Sequence, residues 1–203
     1  MMAKYLVVAI AETWDPNAYT IVAYDFEQCR NLHIPSDKLV DNKTNEIYWD
    51  LFGITHCSIR PWRYNMQVPA TPPKFDKHWT SKDVEMLFRT KHIPYKVFYE
   101  RKYSWGFIKL SSIKNIEIQN ENKKVKSYIT LSENGRDWRV LVKDFRWLHY
   151  WSSIRDEDRP EKLRYWIRYL NDKTKQFYAT TCWHTFDSGQ KYAWINGVHC
   201  FTS

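Results

Sequence analysis

Between Ile113 and Phe145 the chain reads IKNIEIQNENKKVKSYITLSENGRDWRVLVKDF. Val125–Leu131 and Trp138–Phe145 both alternate apolar and polar residues, the period of a half-buried strand. Asn134-Gly135 between them is a two-residue hairpin signal, because both positions tolerate positive φ. Ile113–Ile118 adds a strand ahead of the Asn120-Glu121-Asn122 turn. A three-strand meander follows. Its apolar set (Ile129, Leu131, Trp138, Val140, Val142) must face inward, since a one-residue slip would bury three cations instead. Lys126, Tyr128, Arg139 and Lys143 then share the outer face.

Beyond the meander, Pro160 suits a first helical turn, and Leu163, Trp166, Ile167 and Leu170 fall at i, i+3, i+4, i+7. Two closing strands are expected at Gln176–Trp183 and Tyr192–Cys200. Strand, strand, strand, helix, strand, strand is the element order of an OB-fold. The first half gives the same order less sharply. Strands are expected at Lys4–Ala11, Tyr19–Phe26, near Lys38–Val40, and at Ile54–Ile59. Val68–Lys74, with three prolines, reads as an extended loop. A helix opens at Ser81, and strands follow at Tyr95–Glu100 and Trp105–Leu110. The expected class is mainly β with short helices: two OB-like small β-barrels in tandem, residues 1–110 and 111–203. A single mixed α+β domain with one continuous sheet is the competing architecture.

Composition narrows the function. The 203 residues carry 31 basic and 23 acidic side chains, net +8. Of these, 15 basic and 12 acidic fall in residues 1–110, and 16 and 11 in residues 111–203, so the second half carries the larger excess. Apolar residues at 43% suffice for a core, and no apolar run nears the roughly 20 residues of a membrane span. Five scattered glycines exclude the usual dinucleotide and phosphate-loop motifs. No nucleophile elbow or zinc-protease helix is present. Four cysteines without a C-x-x-C spacing read as reduced, mostly buried cytoplasmic thiols. The short apolar run from Tyr5 reads as a first strand rather than a signal segment.

Four stretches carry a family resemblance: KYLVVAIAE (4–12), CSIRPW (57–62), KDFRW (143–147) and AWINGVH (193–199). With the element order they span nearly the whole chain, which resembles the prokaryotic dual OB-fold proteins. The Gly/Cys-rich return expected after the first strand is replaced here by DPNAY. The resemblance implies the fold and a binding role. It transfers no catalytic motif.

Aromatic residues make up 17% of the chain, with 11 Trp and 14 Tyr. Such rings pack cores or stack on flat ligands. Tyr128 framed by Lys126, Arg139 and Lys143 offers a base platform beside charges for phosphates, on the strands where OB barrels bind oligomers. The same pattern also suits an ordinary solvated strand face. Arg60, Trp62 and Arg63 flank Pro61 in a stiff loop suited to phosphate and base contact, or to an Arg–Trp stack. Arg146, beside Trp147 at the expected end of the third strand, is a further candidate. Arg164 and Arg168 lie beside Tyr165 and Tyr169 on the helix, where they either extend a basic surface or merely solvate it. Cys182, His184, His199 and Cys200 give an incomplete tetrahedral set, so no metal is expected. Asp156-Glu157-Asp158 is the nearest carboxylate cluster and suits a helix N-terminus better than Mg²⁺.

The sequence therefore predicts a nucleic-acid-binding module for single-stranded RNA or DNA, without cofactor, catalytic residues or membrane contact. A non-catalytic protein-interaction subunit, with its aromatics and arginines as interface anchors, is the alternative.

Overall fold

A computed structural model describes residues 2–13, 15, 17–62, 66–121, 124–186 and 188–201. The chain forms two compact units, Met1–Leu87 and Phe88–Ser203. The division falls within helix α1 (Ser81–Lys91).

In the first unit, β1 (Ala3–Glu12), β2 (Tyr19–Asp25), β3 (Arg30–Ser36), β4 (Gly53–Cys57), β5 (Ile59–Pro61), β6 (Gln67–Pro69) and β7 (Lys74–His78) follow in order. One sheet has the order β3-β2-β1-β4-β7, and β5 pairs with β6 in a hairpin. β4 and β5 are separated only by Ser58, and a parallel bridge between His33 and Met66 sets the start of that hairpin's second arm beside β3. β3 therefore neighbours β6. Tyr5, Val7, Ile21, Ala23, Leu32 and Ile34 fill the interior around Trp49, which is almost fully buried. β3 and β7 are not foreseen from the sequence, because Pro35 and a run of polar residues mask the Leu32/Ile34 alternation, and because KFDKH is polar and mostly exposed.

In the second unit, α2 (Tyr95–Glu100), β8 (Trp105–Lys109), β9 (Ile113–Glu121), β10 (Lys124–Glu133), β11 (Arg136–Val142), α3 (Phe145–Ser153), α4 (Arg159–Leu170), β12 (Gln176–Thr185) and β13 (Lys191–Phe201) form a sheet of order β8-β12-β13-β11-β10-β9. β11 and β13 run parallel and all other neighbours antiparallel. This is the expected order, with two helices in place of one. No ladder joins β8 to β9, so the sheet stays open there. The two edges are instead joined covalently through Leu110–Ser112, where Ser112 turns the chain at φ 55°. The result is an open six-stranded sheet in an OB-like strand order, not a closed barrel. Trp105–Lys109, counted from sequence order with the first barrel, pairs with β12.

Three further expectations are corrected. Tyr95–Glu100 is a helix, not a strand. Its first amides, on Tyr95 and Lys96, donate to the two carboxylate oxygens of Glu133 at 2.9 and 2.8 Å, a cap supplied from far along the chain. The third strand stops at Val142, because Asp144 caps α3 by accepting from the Trp147 amide at 3.0 Å. The cap of α1 is Thr80 rather than Ser81: its hydroxyl accepts from the Asp83 amide and donates to the Asp83 carboxylate. Asn134 and Gly135 take the positive φ values their hairpin needs.

Trp49 stands between the third and fourth strands of its barrel, where the second unit has α3 and α4. Truncating it leaves a cavity that a segment without regular structure cannot fill. Trp49→Ala is expected to destabilise the protein by about 3–5 kcal/mol, measured by urea denaturation followed by circular dichroism.

Candidate nucleic-acid interface

The meander is built as its alternation requires. Ser127, Ile129 and Leu131 of β10 and Trp138, Val140 and Val142 of β11 are buried. Buried Ser127 is satisfied by the Trp147 indole N–H, 2.8 Å from its hydroxyl. Lys126, Tyr128 and Thr130 point the other way, with Arg139 and Leu141 beside them. Tyr128 lies opposite Glu117 on β9 and Leu141 on β11, and Thr130 lies opposite Arg139.

Arg139 reaches diagonally across this face. Its guanidinium carbon sits 3.5 Å from the centroid of the Tyr128 ring. Its Nε and Nη2 donate to the two carboxylate oxygens of Glu117 at 3.0 and 2.8 Å. Lys126 pairs with Glu121, and Lys114 with Asp137. Three cations thus meet three carboxylates, and the face is charge-balanced rather than cationic. The carboxylates are what the sequence reading missed. Glu117 is visible as a residue, but its position opposite Tyr128 follows only from register. Exposed pairs of this kind are worth about 0–1 kcal/mol, so a phosphate can replace the carboxylate at small cost.

Lys143 departs from the expected open face. It lies past the end of β11, is only 8% exposed, and holds its Nζ 5.5 Å from the Trp194 ring centroid. The pleat ends there because the next residue caps α3. Arg146 lies on the first turn of α3, exposed, with Nη2 4.0 Å from an Asp144 oxygen. Trp147 beside it packs edge-on against Trp151 in the core. In the first unit Arg60 is exposed on β5, and Trp62, 47% exposed, closes the β5–β6 hairpin through its amide to Met66 O at 2.9 Å. Arg63 lies outside the described residues. The structure thus brings Lys126, Tyr128 and Arg139 together on one face. Lys143 and Arg146 lie just beyond β11, and Arg60 and Trp62 belong to the other unit.

The outer face continues past the meander. Trp194 on β13 lies opposite Leu141 and Cys182, and Cys182 lies opposite Trp105. His184 stacks on Trp194 with centroids 4.4 Å apart and planes 11° apart, and Phe186 and Tyr192 pack edge-on nearby. His184 is thus engaged by an aromatic ring. Burial pushes the Cys182 thiol up to about 12, and Asn196 donates to its sulfur at 3.2 Å. Among the described residues no three His, Cys, Asp or Glu side chains are grouped to hold a metal ion. The carboxylates of Asp156, Glu157 and Asp158 are each held by Arg155 or Arg159. All four cysteines are free thiols, but Cys29 and Cys200 are exposed, so only two match the expected burial. No helix among the described residues is long and apolar enough to cross a membrane.

No family model and no curated protein matches this chain. Among solved structures it is similar to one described as a tetrameric HIN2, at 8% identity over 99% of this chain and 91% of that one, with a TM-score of 0.39. It is also similar to a murine DNA-binding protein bound to double-stranded DNA, at 10% identity over 98% and 95% of the two chains, with a TM-score of 0.38. Likenesses this distant carry no argument about function.

The Arg139 hydrogen bonds hold the Glu117 carboxyl below its ordinary range. A depressed carboxylate stabilises the fold above the ordinary glutamate pKa, and that contribution is lost as pH falls through the folded value. Carboxyl-carbon NMR titration is expected to show a low Glu117 midpoint that returns to the ordinary range in Arg139→Ala.

Proposed function

We propose that the protein is a nucleic-acid-binding module that holds a single strand of RNA or DNA by base stacking and phosphate contact, with little reading of base identity. The observation that carries this reading is the Arg139–Tyr128 stack on the outer face of β10 and β11. In OB-like barrels this face, with the loop joining the fourth and fifth strands, is where oligomers lie. The guanidinium is fixed over the ring, and Glu117, the carboxylate that it holds, is part-exposed, so a phosphate oxygen can replace it. A base then stacks on the open side of the Arg139–Tyr128 pair, beside the charge. Arg60 and Trp62, on the β5–β6 hairpin of the first unit, also set a charge beside a ring. The net charge of +8 favours a polyanionic partner. The module binds without cofactor or chemistry, and its free thiols suit the cytoplasm.

Fluorescence anisotropy with labelled single-stranded RNA, single-stranded DNA and duplex tests this. Binding is expected to weaken steeply between about 50 and about 200 mM salt. Tyr128→Ala is expected to cost about 1–3 kcal/mol. Flat titrations at low salt for every oligonucleotide would overturn the reading in favour of a protein-interaction subunit. Tighter binding to duplex would overturn only the preference for single strands.

A further inference from the structure

Cations without a carboxylate partner among the described residues also lie away from the meander. Arg159–Lys175 contains six basic and two acidic residues, so these 17 positions hold half of the chain's net charge. At the start of α4 the charges are neutralised: Arg155 holds Glu157 and Asp158, and Arg159 holds Asp156. Further along, Arg164 and Arg168 are exposed, and neither makes an ion pair among the described residues. They sit one turn apart on the same side of the helix. A cation near a helix C-terminus gains from the macrodipole, which accounts for Arg168 but not for Arg164 in mid-helix.

Two tyrosines run alongside. Tyr165 and Tyr169 stack with centroids 5.6 Å and planes 15° apart. Tyr169 is anchored: its ring meets Phe177 and Trp166 edge-on, its hydroxyl lies 3.6 Å from Cys200 Sγ, and Lys175 Nζ sits 5.2 Å from its centroid. Tyr165 is 49% exposed. The pair is a ring stack with one end fixed and the other open to solvent. Leu163, Trp166, Ile167 and Tyr169 pack on the core, whereas Tyr165 and the two arginines lie on the side turned away from it.

We infer that the outward side of α4 is a docking surface for a nucleic-acid strand, with Arg164 and Arg168 on successive phosphates and a base stacked on the open end of the Tyr165–Tyr169 pair. Charge complementarity selects the occupant: guanidinium groups with no internal partner need an anion, and a flat ring beside them suits a polyanion that also carries flat groups. The inference rests on the nucleic-acid reading above and adds a second place of contact, on a helix rather than on the barrel strands.

The test uses the full chain and a fluorescein-labelled oligothymidylate, read by anisotropy across a salt series. Arg164→Gln/Arg168→Gln is compared with Lys74→Gln/Lys77→Gln, which removes equal charge from β7. The helix variant is expected to bind at least about tenfold more weakly than the β7 control, and to flatten the slope of log affinity against log salt by about 1.4. Tyr165→Ala is expected to lose roughly 5- to 100-fold, and Tyr165→Phe to keep wild-type affinity. Thermal melts matching wild type show that each variant is folded. If wild type binds and the helix variants match the β7 control, the α4 surface is overturned while the nucleic-acid reading stands. If wild type does not bind, both fall.

Discussion

One buried carboxylate ties the second barrel together. Asp144 is 3% exposed. One of its oxygens accepts the Trp147 amide at the start of α3, and the other accepts the Val198 amide of β13 at 2.8 Å. The residue before it donates its own amide to Ile195 O at 2.7 Å. At this point the third strand ends, a helix begins and the fifth strand is held alongside. Burial raises the Asp144 pKa, while the two amides and Arg146 oppose that rise. The parallel pairing of β11 with β13 spans only two residue pairs, so the carboxylate does there what a longer ladder does elsewhere in the sheet.

The aromatic excess is spent mainly on the interior. Trp147, Trp151 and Trp166 form an edge-to-face chain under the second sheet, and Phe88 gathers Phe107, Tyr178 and Phe201 around it. Among the described residues, Tyr165 and Trp62 are the most exposed Tyr and Trp rings. The cations follow a similar division. On the meander Lys126 is matched by a carboxylate on the neighbouring strand, and Arg139 and Lys114 by carboxylates across β10, which orders the side chains and lowers the net field of that face. On α4 they are matched only over the first turn.

The sequence is most legible where a local period speaks for itself. Val125–Leu131 and Trp138–Val142 show which side chains face inward, and Lys126, Tyr128 and Arg139 do lie outward together. The four-residue apolar pattern from Leu163 to Leu170 likewise marks α4. What is hidden depends on partners distant in sequence. Tyr95–Glu100 has strand-like composition and becomes a helix because Glu133 supplies its cap. KDFRW continues the strand alternation on paper, and Asp144 stops it. The pairing of Arg139 with Glu117 needs the register of β9, which no single run contains. Lys143 looks exposed by parity, yet the pleat has ended before it.

Among the described residues, six that are not glycine adopt positive φ: Cys29, Asn45, Phe52, Lys102, Ser112 and Asn134. A left-handed conformation costs such residues about 1–2 kcal/mol, less for asparagine. Apart from Asn134, whose hairpin suits positive φ by itself, corners of this kind are poor starting points for folding, because alone they prefer another shape. Their geometry is imposed by ladders that form around them, Ser112 between β8 and β9 above all. Such bends depend on strands that pair around them rather than on local preference, and a topology rich in long-range pairing is the kind for which slow folding is the general rule.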